Sequence, residues 1–107
     1  MKHLLIILIS FLLLSSPVIG QSKETGVLYQ YKTSSGFVWK TFGDGKVQPK
    51  YKGEIKNGKP EGFGDLTSSD GEKFVGEWKD DKRWNGTQYD KYGNITIKWV
   101  NGERIKQ

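Results

Sequence analysis

Most nucleophilic and acid–base chemistry at neutral pH leans on histidine or cysteine, and this chain of 107 residues has one histidine, His3, and no cysteine. His3 falls in a leader predicted to be removed, so catalytic pairs built on either residue are excluded, as are the common transition-metal sites. What remains is carboxylate chemistry. Asp80-Asp81 is the most visible acidic pair, but it sits in a predicted turn, where aspartate is favoured for local backbone hydrogen bonds. The glycines from Gly58 to Gly64 lack the Gly-Lys-Ser/Thr ending of a phosphate loop and open no helix. No catalytic residue, metal ligand or cofactor is therefore assigned. Asn85-Gly86-Thr87 and Asn94-Ile95-Thr96 satisfy the glycosylation triplet, which matters only in a host that modifies it.

Aromatic residues are the better functional lead. Trp39, Trp78, Trp84 and Trp99, with Tyr29, Tyr31, Phe37, Phe42, Tyr51, Phe63, Phe74, Tyr89 and Tyr92, are interleaved with lysines. Such alternation binds single-stranded nucleic acid, sugars, peptides or a lipid headgroup surface, and it equally builds the core of a protein short of aliphatic residues. The binding candidates chosen from this set are Tyr51, Phe74, Trp78, Trp84 and Trp99.

The address of the protein follows from its first residues. Lys2 and His3 give a positive start, Leu4 to Leu14 an apolar run broken only by Ser10, and Val18 and Gly20 the small residues of a cleavage site. This predicts a secretory signal peptide over residues 1–20 and a released, soluble, periplasmic or secreted product. An uncleaved anchor fits less well, because the run is 11 residues long and a spanning helix needs about 20. Export argues against a nucleic-acid partner. After Gly20 the chain carries 16 Lys and Arg against 12 Asp and Glu, well mixed, a net charge of about +4.

The elements that must hold these side chains read as short strands. Val27 to Lys32 and Phe37 to Phe42 flank the turn cluster Thr33-Ser34-Ser35-Gly36 and predict a β-hairpin within residues 21–50. Tyr51 to Lys56 alternates apolar with charged residues up to Asn57-Gly58; Lys59-Pro60-Glu61 is expected to pass over the turn, and Gly62 to Thr67 to return. Interior glycines cost a strand stability, so Gly62 and Gly64 imply close approach from above, with Tyr51, Phe74 and Trp78 as the covering rings. Lys73 to Lys79 opens the next unit, Asp80 to Arg83 is read as its turn, and Trp84 to Tyr89 and Ile95 to Val100 as further strands. Glu103 to Gln107 is read as a polar tail.

Tyr51, Gly53, Glu54, Ile55 and Lys56 recur as Phe74, Gly76, Glu77, Trp78 and Lys79 at one offset of 23 residues. Self-similarity at about 20 to 50 residues marks stacked units that cannot bury an apolar face alone. The second unit drifts: the glycine expected at Asn85 comes at Gly86, and Thr87 stands where Gly64 predicts another.

Y-x-G-E-I-x-N-G-x-P-x-G-F-G followed by D-G-x-x-F-x-G-E-W-K resembles the MORN repeat (membrane occupation and recognition nexus), over about half of the chain. The unit 51–73 matches closely; the unit 74–96 follows it through Trp78 and then departs, and W-N-G-T-x-Y-D resembles the closing unit of bacterial exported MORN proteins, making the end of region 51–107 a degenerate cap. The resemblance implies an all-β sheet of antiparallel hairpins, extended by the N-terminal one, in which Gly53, Gly58, Gly62, Gly64, Gly71 and Gly76 are structural. It also implies a non-catalytic module that binds protein or peptide, its own copy included. An anionic lipid or envelope polymer is the alternative, tested by whether Lys50, Lys52, Lys56, Lys73 and Lys79 share a face. A carboxylate-based hydrolytic accessory is the reading from another class. About eight to nine strands in a curled single sheet or thin sandwich are expected.

Overall fold

The computed structural model describes residues 24–107; the expected signal peptide and the first three residues of the 21–50 segment lie outside the described residues. Eight strands form one antiparallel sheet: β1 (Glu24–Thr33), β2 (Gly36–Lys40), β3 (Lys50–Lys56), β4 (Lys59–Thr67), β5 (Lys73–Lys79), β6 (Lys82–Tyr89), β7 (Ile95–Val100) and β8 (Glu103–Lys106). Their spatial order is β2-β1-β3-β4-β5-β6-β7-β8. After the first hairpin the chain is a plain meander, one strand beside the last.

Three of the hairpins close at the same end of the sheet with the same device. Asn57-Gly58, Asp80-Asp81 and Asn101-Gly102 each take positive φ at both positions, between 49° and 84°. Paired positive φ is the signature of the type I′ turn, whose twist matches that of the strands it joins. Such a turn holds two residues and no more. Lys59-Pro60-Glu61 therefore begins β4 rather than crossing the turn, with Pro60 opposite Ile55, and Lys82 and Arg83 begin β6. Glu103 to Lys106, read from the sequence as a tail, pairs with β7 from Val100 to Ile97 as an edge strand. Its side chains are exposed, so no alternation of apolar residues announces it.

The glycines line up across the strands. Gly26 pairs with Gly53, Gly53 with Gly64, Gly64 with Gly76 and Gly76 with Gly86, a row that crosses five strands and ends at Trp99. This row is a trough for rings. A Cβ on Gly64 would lie 2.2 Å from the Tyr51 hydroxyl, and one on Gly86 2.7 Å from Phe74 Cζ. Tyr51 and Trp78, two strands apart, thereby meet edge to face over β4 with ring centres 5.3 Å apart, and Phe74 meets Trp78 in the same way at 5.4 Å. Leu28, Tyr51, Leu66, Phe74 and Trp78 form the buried core on this one face.

Gly86 is the counterpart of Gly64, not of Gly62, because Gly64 pairs with Gly53 in the first unit and Gly86 with Gly76, the equivalent of Gly53, in the second. The apparent drift comes from bulges of unequal size. Between Gly53/Gly64 and Ile55/Pro60 the register slips by two, so that Glu54 alone faces Glu61, Gly62 and Phe63. In the next hairpin it slips by one, at Trp84. Gly62, with φ 101°, serves the larger bulge and not the ring trough. Glu54 seals that bulge by accepting a hydrogen bond from the Phe63 amide at 2.7 Å.

The first hairpin folds over the core face. Trp39 of β2 lies four strands from β5, about 19 Å in a flat sheet, yet its ring centre is 6.0 Å from those of both Trp78 and Tyr51. Its indole N–H donates to the Asp81 carboxylate in the β5–β6 turn.

Candidate functional site

Between the folded-over hairpin and the ends of β5 to β8 lies an open cleft of about 670 Å³. Gln30 and Phe37 stand on one side, Trp78, Arg83 and Trp99 on the other, and Trp84, Asn101 and Gly102 at the rim. Strand pairing puts these groups there. Trp78 and Arg83 are cross-strand partners, as are Gly86 and Trp99, so all four face the core side. The one-residue bulge at Trp84 then swings that ring to the rim, where the Lys79 ammonium sits 4.5 Å from its centre and Gly102 lies against its edge.

Two polar latches align the turns that frame the cleft. Glu61 accepts a hydrogen bond from the Asp80 amide at 3.1 Å, and Asn85 Oδ1 one from the Asn101 amide at 2.8 Å. Asn85 is held in turn by its Nδ2 donating to Glu77 at 3.0 Å. The turns at the cleft are thus tied to the neighbouring strands by hydrogen bonds from main-chain amides to the Glu61 and Asn85 side chains.

Arg83 is the unusual group. Its guanidinium carbon lies 5.5 Å from the ring centre of Phe74, 5.8 Å from that of Trp78 and 5.6 Å from that of Trp99. Nε is buried and has no hydrogen-bond partner among the described residues. Burial, followed by the nearby Arg104 charge, holds its pKa below the ordinary guanidinium range, while Glu72 pulls weakly the other way.

The sequence candidates divide into two sets. Tyr51 and Phe74 are sealed in the core, at 0% and 1% exposure, so their part is packing. Burial pushes the Tyr51 phenol well above its usual pKa, which keeps it the protonated donor of a 2.6 Å hydrogen bond to the Glu54 carbonyl. Trp78 is buried but forms part of the cleft wall, and Trp84 and Trp99 line it. Asp80 and Asp81 are the two residues of a turn, with Asp81 engaged by Trp39. Of the structural glycines, Gly53, Gly64 and Gly76 lie in the trough, while Gly58 and Gly71 hold turn conformations at φ 74° and 96°.

Arg83 and Gln30 were not singled out in the sequence, and Trp39 and Phe37 stood in the aromatic set without being chosen as binding candidates. Strand alternation assigns a side chain to a face only while the register holds, and the bulge at Trp84 reverses the parity just where Arg83 enters β6. Four of the five lysines share a side: Lys50, Lys52 and Lys56 alternate with the inward Tyr51, Gly53 and Ile55, and Lys73 precedes the inward Phe74, so these fall on the outer face together with Glu54, Asp65 and Glu77. Lys79 has the same strand parity, but its ammonium turns to the Trp84 ring at the cleft rim.

Neither curated proteins nor solved structures include a match. A family profile, described as the MORN repeat, matches residues 51–73 and 74–84. The two central hairpins thus match the MORN repeat, the second as far as its bulge residue Trp84.

Proposed function

We propose that this chain is an exported, non-catalytic binding module that receives a segment of protein or peptide in the cleft beside the β5–β6 turn. The observation that carries the reading is the cleft itself: an open depression of about 670 Å³ with Phe37, Trp78, Trp84 and Trp99 along it, its turns held by hydrogen bonds from the Asp80 and Asn101 amides to the Glu61 and Asn85 side chains. Aromatic rings of that kind bury large area at low entropic cost and anchor peptide side chains. MORN repeats, as binding or scaffold modules, fit this use. Against a hydrolytic role, the most visible carboxylate pair stands in a turn, and one member already accepts a hydrogen bond from Trp39.

Panning the purified protein against a displayed library of short random peptides tests the reading. Enriched peptides should lose binding to Trp84→Ala and Trp99→Ala proteins that retain their fold. Enrichment that is indifferent to both substitutions, or no enrichment, would remove the cleft as the binding site.

A second reading rests on the shared outward face of Lys50, Lys52, Lys56 and Lys73. That face would lie on an anionic lipid or envelope polymer, with an affinity that falls steeply with salt. Glu54, Asp65 and Glu77 on the same face dilute its charge, which places this reading second. Self-association would use the free edges β2 and β8.

A further inference from the structure

We infer that Arg83 is the anchor of a carboxylate-binding subsite in the cleft, so that the peptide received there is one presenting an acidic side chain or its own C-terminal carboxylate. This rests on the peptide-binding reading above and narrows it to a ligand chemistry.

A guanidinium is costly to bury, and an aliphatic side chain of similar volume fills the same space without that cost. A structural arginine is ordinarily matched by a carboxylate or by carbonyl oxygens. Arg83 has neither at its buried Nε among the described residues. Of the carboxylates along the cleft, Asp81 accepts the Trp39 indole N–H, Asp80 is exposed in the turn, and Glu103 pairs with Val100 of β7 on the outer parity of its strand. Glu72 does act on Arg83 through its charge, but less than burial and the Arg104 charge act against it, and no hydrogen bond reaches Nε. A second cation adds to the field instead of balancing it: Arg104, cross-strand partner of Trp99, places its guanidinium 5.8 Å from that same ring.

The surrounding rings define how a ligand would approach. Phe74, Trp78 and Trp99 all lie within 6 Å of the guanidinium carbon, and the group lines the cleft. A caged guanidinium presents its N–H fork in plane, the arrangement that meets the two oxygens of a carboxylate. Phosphate offers a similar pair of oxygens but a second negative charge, which Asp80, Asp81 and Glu103 along the same cleft disfavour. Trp84 and Phe37 provide apolar surface for the neighbouring side chain of the ligand.

The test uses defined probes and the Arg83 Nε–H resonance. N-acetylphenylalanine supplies a chain-end carboxylate, N-acetyl-aspartyl-phenylalaninamide a side-chain carboxylate, N-acetylphenylalaninamide the neutral control, and inorganic phosphate the dianion. At least one carboxylate probe should bind about 10- to 100-fold tighter than the neutral amide, as expected for a hydrogen bond to a charged group, and should shift the Arg83 Nε–H signal. Which of the two does so identifies the source of the carboxylate. Arg83→Lys keeps the charge without the fork and should lose most of that preference; Arg83→Met, which packs the same space, should lose all of it. Equal binding of amide and acid, a preference that survives in Arg83→Met, or phosphate binding more tightly than either acid would overturn the carboxylate subsite while leaving the peptide-binding reading intact. Silence of every probe at millimolar concentration, with no shift at Arg83 or at the Trp84 and Trp99 indoles, would overturn both.

Discussion

Replacing Gly64 with alanine should be among the most damaging single-methyl additions in the molecule. The added carbon would lie 2.2 Å from the Tyr51 hydroxyl, 2.4 Å from Cζ and 2.5 Å from Cε1, where ordinary contact begins near 3.4 Å. Relief requires a movement of more than about 1 Å by a side chain that is fully buried and edge-packed against Trp78. If Tyr51 swings out, its burial is lost, about 3–5 kcal/mol by analogy with truncating a core aromatic, together with about 1 kcal/mol for its bond to the Glu54 carbonyl. If instead the strands part, the ladder from Gly53 through Gly64 to Gly76 is broken. The first route costs about 4–6 kcal/mol, a large share of the roughly 4–13 kcal/mol expected for a domain of this size. Urea unfolding followed by tryptophan fluorescence reads this directly, since the Trp78 indole donates to the Gly64 carbonyl at 3.2 Å. The decisive part is a double-mutant cycle. With Tyr51 already replaced by alanine the clash is gone, and Gly64→Ala should become stabilising by about 0.5–1 kcal/mol through lost chain entropy alone. A Gly64→Ala cost below about 1 kcal/mol in the native background, or strict additivity with Tyr51→Ala, would refute the ring-in-trough account.

Other expectations follow from the same geometry. Arg83→Met should raise stability by about 1–3 kcal/mol, seen as a higher melting temperature, because it removes a buried unsatisfied donor and a desolvated charge from an aromatic pocket. Asp80→Asn should stabilise by a few tenths of a kcal/mol in urea titration, since Asn accepts the φ of 51° more readily and restores the residue found at Asn57 and Asn101. Asp90 accepts from the Asn94 and Tyr92 amides, each at 2.9 Å, and these bonds hold its carboxyl below the usual range. Its folded-state pKa is depressed, so its contribution is present above the ordinary carboxylate pKa and lost as pH falls through the lower folded value. Asp90→Asn should therefore flatten the acid limb of the stability–pH profile. Tyr51 gives the opposite sign at high pH: its phenol is raised, so stability is full below the ordinary tyrosine pKa and declines above it. Tyr51→Phe should remove that alkaline decline in a pH series of melting temperatures.

The parts of the fold that were legible in the sequence are those carried by unbroken alternation. Lys73 to Lys79 and Ile95 to Val100 are strands with the bounds their residues suggest, because each has inward aromatic or β-branched positions at period two. The ring cover over Gly64 was legible for a related reason: a glycine in a strand interior asks what lies above it. What escaped notice was whatever depends on a count of residues opposite one another. Unequal bulges hid the equivalence of Gly86 with Gly64, the inward aim of Arg83, and hence the cleft. Gly26, the first member of the glycine row, went unread because it lies outside the repeat and becomes meaningful only when β1 is placed beside β3. The clasp of Trp39 on Asp81 spans 42 positions of sequence and four strands of sheet, and no local pattern encodes it.

That clasp divides the sheet into two mechanical regimes. Trp39 bound to Trp78 and to the β5–β6 turn closes a loop from β2 around to β5, so those strands can separate only together. Beyond the clasp, β7 still reaches across β6 through Trp99, whose ring packs on Phe74, whereas β8 is paired with β7 alone and has nothing on its far side. Amide exchange should thus rise stepwise toward the C-terminus, with β8 peeling first and the clasped strands last. Arg83 and Trp99 belong to the yielding half and Phe37 and Trp78 to the locked half, so the cleft runs along a seam between a fixed jaw and a compliant one.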